Sequence, residues 1–142
     1  MSVNHELEEA KEILSAGGYT CVVCLGETVF TSQARGVKPL LDWLDQGCIL
    51  PGFSAADKVV GRATAFLYSL LGAKAVHAGV MSRSALDVLT ACGIEASWDH
   101  LADHIRNREN TGMCPMEQAT LDCQTPEEAL TAIQTTLKRL TS

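Results

Sequence analysis

No run of basic side chains occurs in the 142 residues: 11 Lys and Arg face 17 Asp and Glu, for a formal net charge of −6. Nonspecific binding to nucleic acid requires clustered cations that neutralise phosphates, so nucleic acid is excluded as a partner. Long apolar runs are missing too. The longest fall well short of the ~20 residues that a spanning helix requires, which excludes a membrane partner. The opening MSVNHELEEAKEIL is acidic and polar, without the basic-then-apolar pattern of a secretory signal, and predicts a cytoplasmic protein. Internal repeats, linkers and low-complexity segments are also absent. What is there is a 46% hydrophobic, 20% charged composition. It describes a globular chain long enough for one domain, residues 1–142, with a substantial core. Six cysteines (Cys21, Cys24, Cys48, Cys92, Cys114, Cys123) stay reduced in such a compartment and serve mainly as small apolar packing.

Apolar spacing predicts a helix over 5–16 that stops at Gly17-Gly18, then strands over 19–25 and 28–31 joined by a tight turn at Gly26-Glu27. Pro39 opens a short helix over 37–46, and Gly47 closes it. After a loop, Ser54 with Asp57 three residues on reads as a capping box for a long buried helix over 54–72. A strand over 73–80, a helix over 82–91 and a strand over 94–98 imply a parallel pair with a right-handed crossover. A further helix is expected over 101–108, and a turn with a short strand or helical turn over 109–124. Thr125-Pro126-Glu127-Glu128 starts a final helix that runs to about Leu140. The order is that of an α/β domain.

Three stretches, YTCVVCLGETVFTSQARGVKPLLDWL, GFSAADKVVGRATAFLYSLLGAKAVHAGVMS and NRENTGMCPMEQA, resemble the domain of unknown function 1893 family over roughly residues 7–121. The resemblance implies a three-layer α/β fold similar to that of the cytidine deaminases, with a mixed four- to five-stranded sheet between helices. It implies no activity, because fold does not carry reaction. Zinc deaminases place H-x-E at the start of one helix and P-C-x-x-C at the start of the next. Here those positions read Ala55-Ala56-Asp57-Lys58 and Met81-Ser82-Arg83-Ser84-Ala85, without His or Cys. The usual deamination route is therefore closed, and no metal or cofactor is predicted. His77-Ala78-Gly79 holds half of H-x-E, but on a strand and with Gly in place of Glu. Cys21 and Cys24, three apart on a strand, point to opposite faces and cannot share an ion.

In open α/β sheets ligands sit beyond the carboxyl ends of the strands. That edge gathers Ser54, Asp57 and Lys58 with Ser82 and Arg83, where two helix N-termini and a basic side chain suit a small anionic or nucleotide-like metabolite. Ordinary capping by Ser54 and Ser82 is the plainer alternative. Asp57, as a base or ligand anchor, is expected to stay ionised beside a helix N-terminus. Cys114-Pro115-Met116-Glu117 places a thiol at a helix start, where it gains nucleophilic character, although Glu117 opposes the thiolate. Both Asp57 and Cys114 are thus candidate catalytic residues, with Ser54, Lys58, Ser82, Arg83 and Glu117 as ligand contacts. Arg106 and Arg108 either pair with the acidic surface or close over an anion, and His100 and His104, four apart on the expected helix at a spacing a metal could use, read better as exposed polar positions. The residues assign no reaction. The competing expectation is an inactive scaffold working through protein contacts or as a homo-oligomer, with Trp43, Leu44, Ile49 and Trp98 as an apolar patch. A third is redox sensing through Cys114.

Overall fold

Side chains of Cys21–Leu25 alternate between two apolar clusters, so this strand, β1, must be covered on both faces. Cys21 and Val23 join the larger cluster, while Val22 and Cys24 join a smaller one with Ala10 and Ala56. A computed structural model, which describes residues 4–34, 36–106 and 112–141, shows the cover. Helix α1 (His5–Gly17) lies on one face, its Ala10, Ile13 and Leu14 packed against Val22, Cys24 and Ala56. The opposite face carries α2 (Lys38–Gln46), α3 (Arg62–Leu71), α4 (Arg83–Ala91) and α6 (Pro126–Thr141) around the main core.

Between them runs an open five-stranded mixed sheet in the order β2-β1-β3-β4-β5. β1 pairs antiparallel with β2 (Thr28–Ser32) and with β3 (Ser54–Val60). β3, β4 (Ala75–Ser82) and β5 (Glu95–Ala102) are parallel, joined through α3 and α4. The expected β1–β2 hairpin forms, with Gly26 at φ +60°, a conformation that costs glycine little. Pro39 and Gly47 bound α2 as read, and Ser82 caps α4 by accepting from the Ala85 N–H at 3.0 Å. At Gly79 the backbones crowd: a Cβ there would lie 2.8 Å from the Lys58 carbonyl oxygen.

Three expectations are corrected. Residues 54–60 are strand, and the helix begins only at Arg62 after a Gly61 cap. The small alternating side chains fit between β1 and β4, and hydrogen-bonded ladders on both sides override the helical pattern. Ser54 consequently caps nothing; it is buried and accepts from Asn4 Nδ2 at 2.9 Å, fastening the cap of α1 to the sheet. Over 101–106, the described part of the segment 101–108 expected to be helical, no helix forms. β5 continues to Ala102 because β4 offers partners up to Ser82, and Arg106 then bridges to Met113. His100 is therefore on a strand, and its helical spacing to His104 is lost. The apolar patch also dissolves: Trp43 and Ile49 are buried, Leu44 packs on the core, and only Trp98 of the four is exposed.

Candidate functional site

Beyond the carboxyl end of β3 a cavity of about 440 Å³ opens between the sheet, the start of α3 and the segment that leads into α5 (Pro115–Thr120). Asp57, Lys58, Cys114 and Glu117 all line it, joined by Cys21, Thr64, Ile105, Arg106 and Met116. Four of the seven residues singled out in the sequence thus meet at one cavity. Ser54, Ser82 and Arg83 do not line it. Ser82 is buried under the cavity wall and donates to Glu117 Oε1 at 3.0 Å, while Arg83 is exposed and pairs with Asp103 at 3.0 Å. Arg108 lies outside the described residues.

Asp57 sits in the middle of β3, opposite Cys21 in the antiparallel register. Its Oδ2 accepts from the Tyr68 hydroxyl at 2.8 Å, and Tyr68 lies 3.1 Å from Cys21 Sγ. With the phenol proton committed to Asp57, the thiol is the donor in a chain from Cys21 through Tyr68 to Asp57. Burial raises the Asp57 carboxyl to about 7, against the opposing hydrogen bonds from Tyr68 and the Val59 N–H. This reverses the expectation of a carboxylate held ionised by a helix terminus: α3 starts five residues later, and desolvation dominates. Burial, reinforced by the Asp57 charge, pushes both the Tyr68 phenol and the Cys21 thiol well up, so each keeps its proton. The cavity floor therefore offers one carboxyl that exchanges its proton near neutrality.

Glu117 plays a different part. Buried at 1% exposure, it accepts from the Arg62 N–H at 2.6 Å, the Ile105 N–H at 2.5 Å and the Ser82 hydroxyl. These bonds gather the start of α3, the cap of α4 and the turn after β5 around one side chain. Arg62 completes the wall. Its guanidinium donates to the carbonyls of Thr120 at 2.6 Å and Cys123 at 2.5 Å and to Ser84 Oγ at 3.0 Å, and it stacks 5.0 Å above the Phe66 ring. With its carboxylate so engaged, Glu117 shapes the cavity.

Sequence reasoning missed Tyr68, Cys21, Thr64 and Arg62. The pairing of Cys21 with Asp57 arises across strands, which spacing along the chain does not display. Tyr68 was hidden by the misplaced helix start: on one continuous helix it would lie three turns, about 16 Å, from Asp57, whereas the strand-to-helix turn at Gly61 folds it back over Asp57. Among the described residues no three His, Cys, Asp or Glu side chains gather to hold a metal ion. Cys21 and Cys24 fall in different clusters, on opposite faces.

The family model described as "Domain of unknown function (DUF1893)" matches residues 9–137. The chain belongs to this family. A crystal structure of a DUF1893 family protein from Thermotoga maritima is similar along nearly the whole length: TM-score 0.86 at 25% identity, covering 95% of this chain and 92% of that one. No curated protein matches. The DUF1893 match extends past the stretches that carried the resemblance and takes in most of α6. Among the described residues of this DUF1893 chain, no helix is long and apolar enough to cross a membrane.

Proposed function

We propose that this chain is a cytoplasmic small-molecule-binding domain of deaminase-like architecture, working without zinc, whose cavity takes a nucleotide-like ligand ring first. The supporting observation is Asp57, a buried carboxyl with a pKa of about 7, at the floor of a largely apolar cavity. A carboxyl in that state donates and accepts, and so matches the paired donor and acceptor on the edge of an uncharged or weakly basic heterocycle. A fully anionic ligand is less well matched, because Ser82 and Arg83 are engaged elsewhere. Arg106, exposed at the cavity mouth, suits the anionic end of such a ligand. The mixed sheet with helices on both faces supports the deaminase-like reading of the architecture. Six unpaired thiols suit a reducing compartment.

Thermal shift with a panel of nucleosides and nucleotides tests this. A ligand at about a hundred times its Kd stabilises the folded state by about 2.7 kcal/mol. The expected result is a nucleotide that raises Tm in the native protein, raises it less in Arg106→Ala, and has no effect on Asp57→Ala, which removes donor and acceptor together. Equal shifts in native protein and Asp57→Ala would refute the reading, as would no shift across the panel.

A further inference from the structure

His77, on the α1 face of β4, has both ring nitrogens engaged by side chains of the neighbouring strand. Ser97 is its register partner on β5, with Oγ 2.8 Å from Nδ1. Asp99, two residues further and so on the same face, places Oδ1 3.3 Å from Nε2. A carboxylate accepts only, so Nε2 carries the proton and Nδ1 turns its lone pair to the Ser97 hydroxyl. Burial and the Lys11 charge lower the His77 pKa against the opposing pull of Asp99, which favours the neutral ring with one lone pair free. The three side chains have the connectivity of a nucleophile, a base and an orienting acid. Relative to the usual arrangement the two ring nitrogens exchange roles, which the chemistry permits, since either can hold the lone pair.

A depression of about 600 Å³ opens beside this group, lined by His77, Asp99 and Gly79 with two lysines, Lys11 of α1 and Lys58 of β3; Ser97, half-buried and bonded to His77, is not among the residues that line it. Gly79, two residues after His77, adds no side chain there. Lys11 also lies 3.6 Å from Glu8 at the surface. Lys58 lines both this depression and the Asp57 cavity, but the two open on opposite faces of the sheet: Ala56, the β3 partner of His77, packs toward α1, whereas Asp57 bonds Tyr68 on the opposite side.

We propose that Ser97, His77 and Asp99 form a nucleophilic centre that hydrolyses small esters bearing a negative charge. Ser97 Oγ bonds to the ester carbonyl carbon as its proton passes to His77 Nδ1. The carbon–oxygen bond to the leaving group then breaks, and the departing alkoxide takes that proton from His77. Water repeats the sequence on the acyl-serine, its proton passing through His77 back to Ser97, so that ester and water become acid and alcohol. The ammonium groups of Lys11 and Lys58 hold the substrate's charge and favour the oxyanion. Asp99 is a positioning residue that fixes the tautomer.

The full chain treated with a fluorophosphonate probe, with the modified peptide mapped by mass spectrometry, provides the test. Labelling is expected at Ser97, absent in Ser97→Ala and at least about a hundredfold slower in His77→Gln. Asp99→Asn, an exposed change that leaves packing intact, is expected to slow the limiting labelling rate about tenfold or more, with the half-saturating probe concentration within about twofold of native. A native protein that remains unlabelled at Ser97, or an Asp99→Asn variant that labels at the native rate, would overturn the proposal. Both readouts are independent of the Asp57 cavity, so either site can fail alone.

Discussion

The buried Asp57 carboxyl makes the stability of this molecule depend on pH. The folded pKa of Asp57, about 7, stands above its ordinary value of 3.8, so the native state keeps a proton that the unfolded chain has lost. Stability from this residue is therefore complete below about pH 4 and lost as pH rises toward and through 7, by on the order of 4 kcal/mol at full ionisation. Asn cannot ionise and still accepts from Tyr68. Denaturant unfolding of Asp57→Asn at pH 5 and pH 8 should show the variant gaining on the native protein at the higher pH. An unchanged difference between the two would mean that Asp57 is not desolvated. Tyr68→Phe removes the phenol that favours the carboxylate, and the Asp57 carboxyl carbon followed by NMR should titrate at a higher pH than in the native protein.

At the level of elements, the cavity depends on how helix starts are held. Glu117→Gln keeps one acceptor oxygen and turns an amide N–H₂ toward groups that already donate, Arg62 N–H and Ile105 N–H among them. A loss of about 2–3 kcal/mol in urea unfolding is expected, with the segment from Ile105 through α5 gaining amide exchange first. Gly79→Ala forces β3 and β4 apart at the Lys58 carbonyl and should cost about 1–3 kcal/mol by the same measurement. The helices α1, α2, α4 and α6 were legible in the chain because caps, prolines and glycines mark their ends locally. The hairpin was legible for the same reason. β3 was not: Ser54-Ala55-Ala56-Asp57 satisfies a capping pattern, and only the ladders to β1 and β4, formed with distant residues, make it a strand. The far half of β5 failed likewise, since its length is set by β4. Of the site, Asp57 and Lys58 were found because their chemistry stands out at an expected strand edge, and Cys114 and Glu117 because Pro115 marks a helix start between them. Tyr68 and Cys21 needed the register.

For the molecule as a whole, the layered burial of the sheet makes the cysteines a readout of global opening. Cys21 and Cys24 are buried in β1, an interior strand covered on both faces, with the Cys24 thiol raised to about 11, whereas Cys48 and Cys92 are exposed. Alkylation of the native protein at neutral pH should modify Cys48 and Cys92 quickly. Cys21 and Cys24 should react only at the rate of global unfolding, together with each other, as quantified by peptide mass spectrometry. Modification of Cys21 well ahead of Cys24 would show instead that one face peels away alone.

The alternation along β3 has a practical corollary. Ala55, Asp57 and Val59 turn toward α3 and the Asp57 cavity, Ser54 and Ala56 turn toward α1, and Lys58 lines both the cavity and the depression beside the histidine. Lys58 apart, position parity over residues 54–59 is thus an address: an odd-numbered substitution is delivered to one side of the sheet and an even-numbered one to the other. Two chemistries kept apart by the thickness of one extended backbone can be engineered independently from a stretch of chain shorter than two turns of helix.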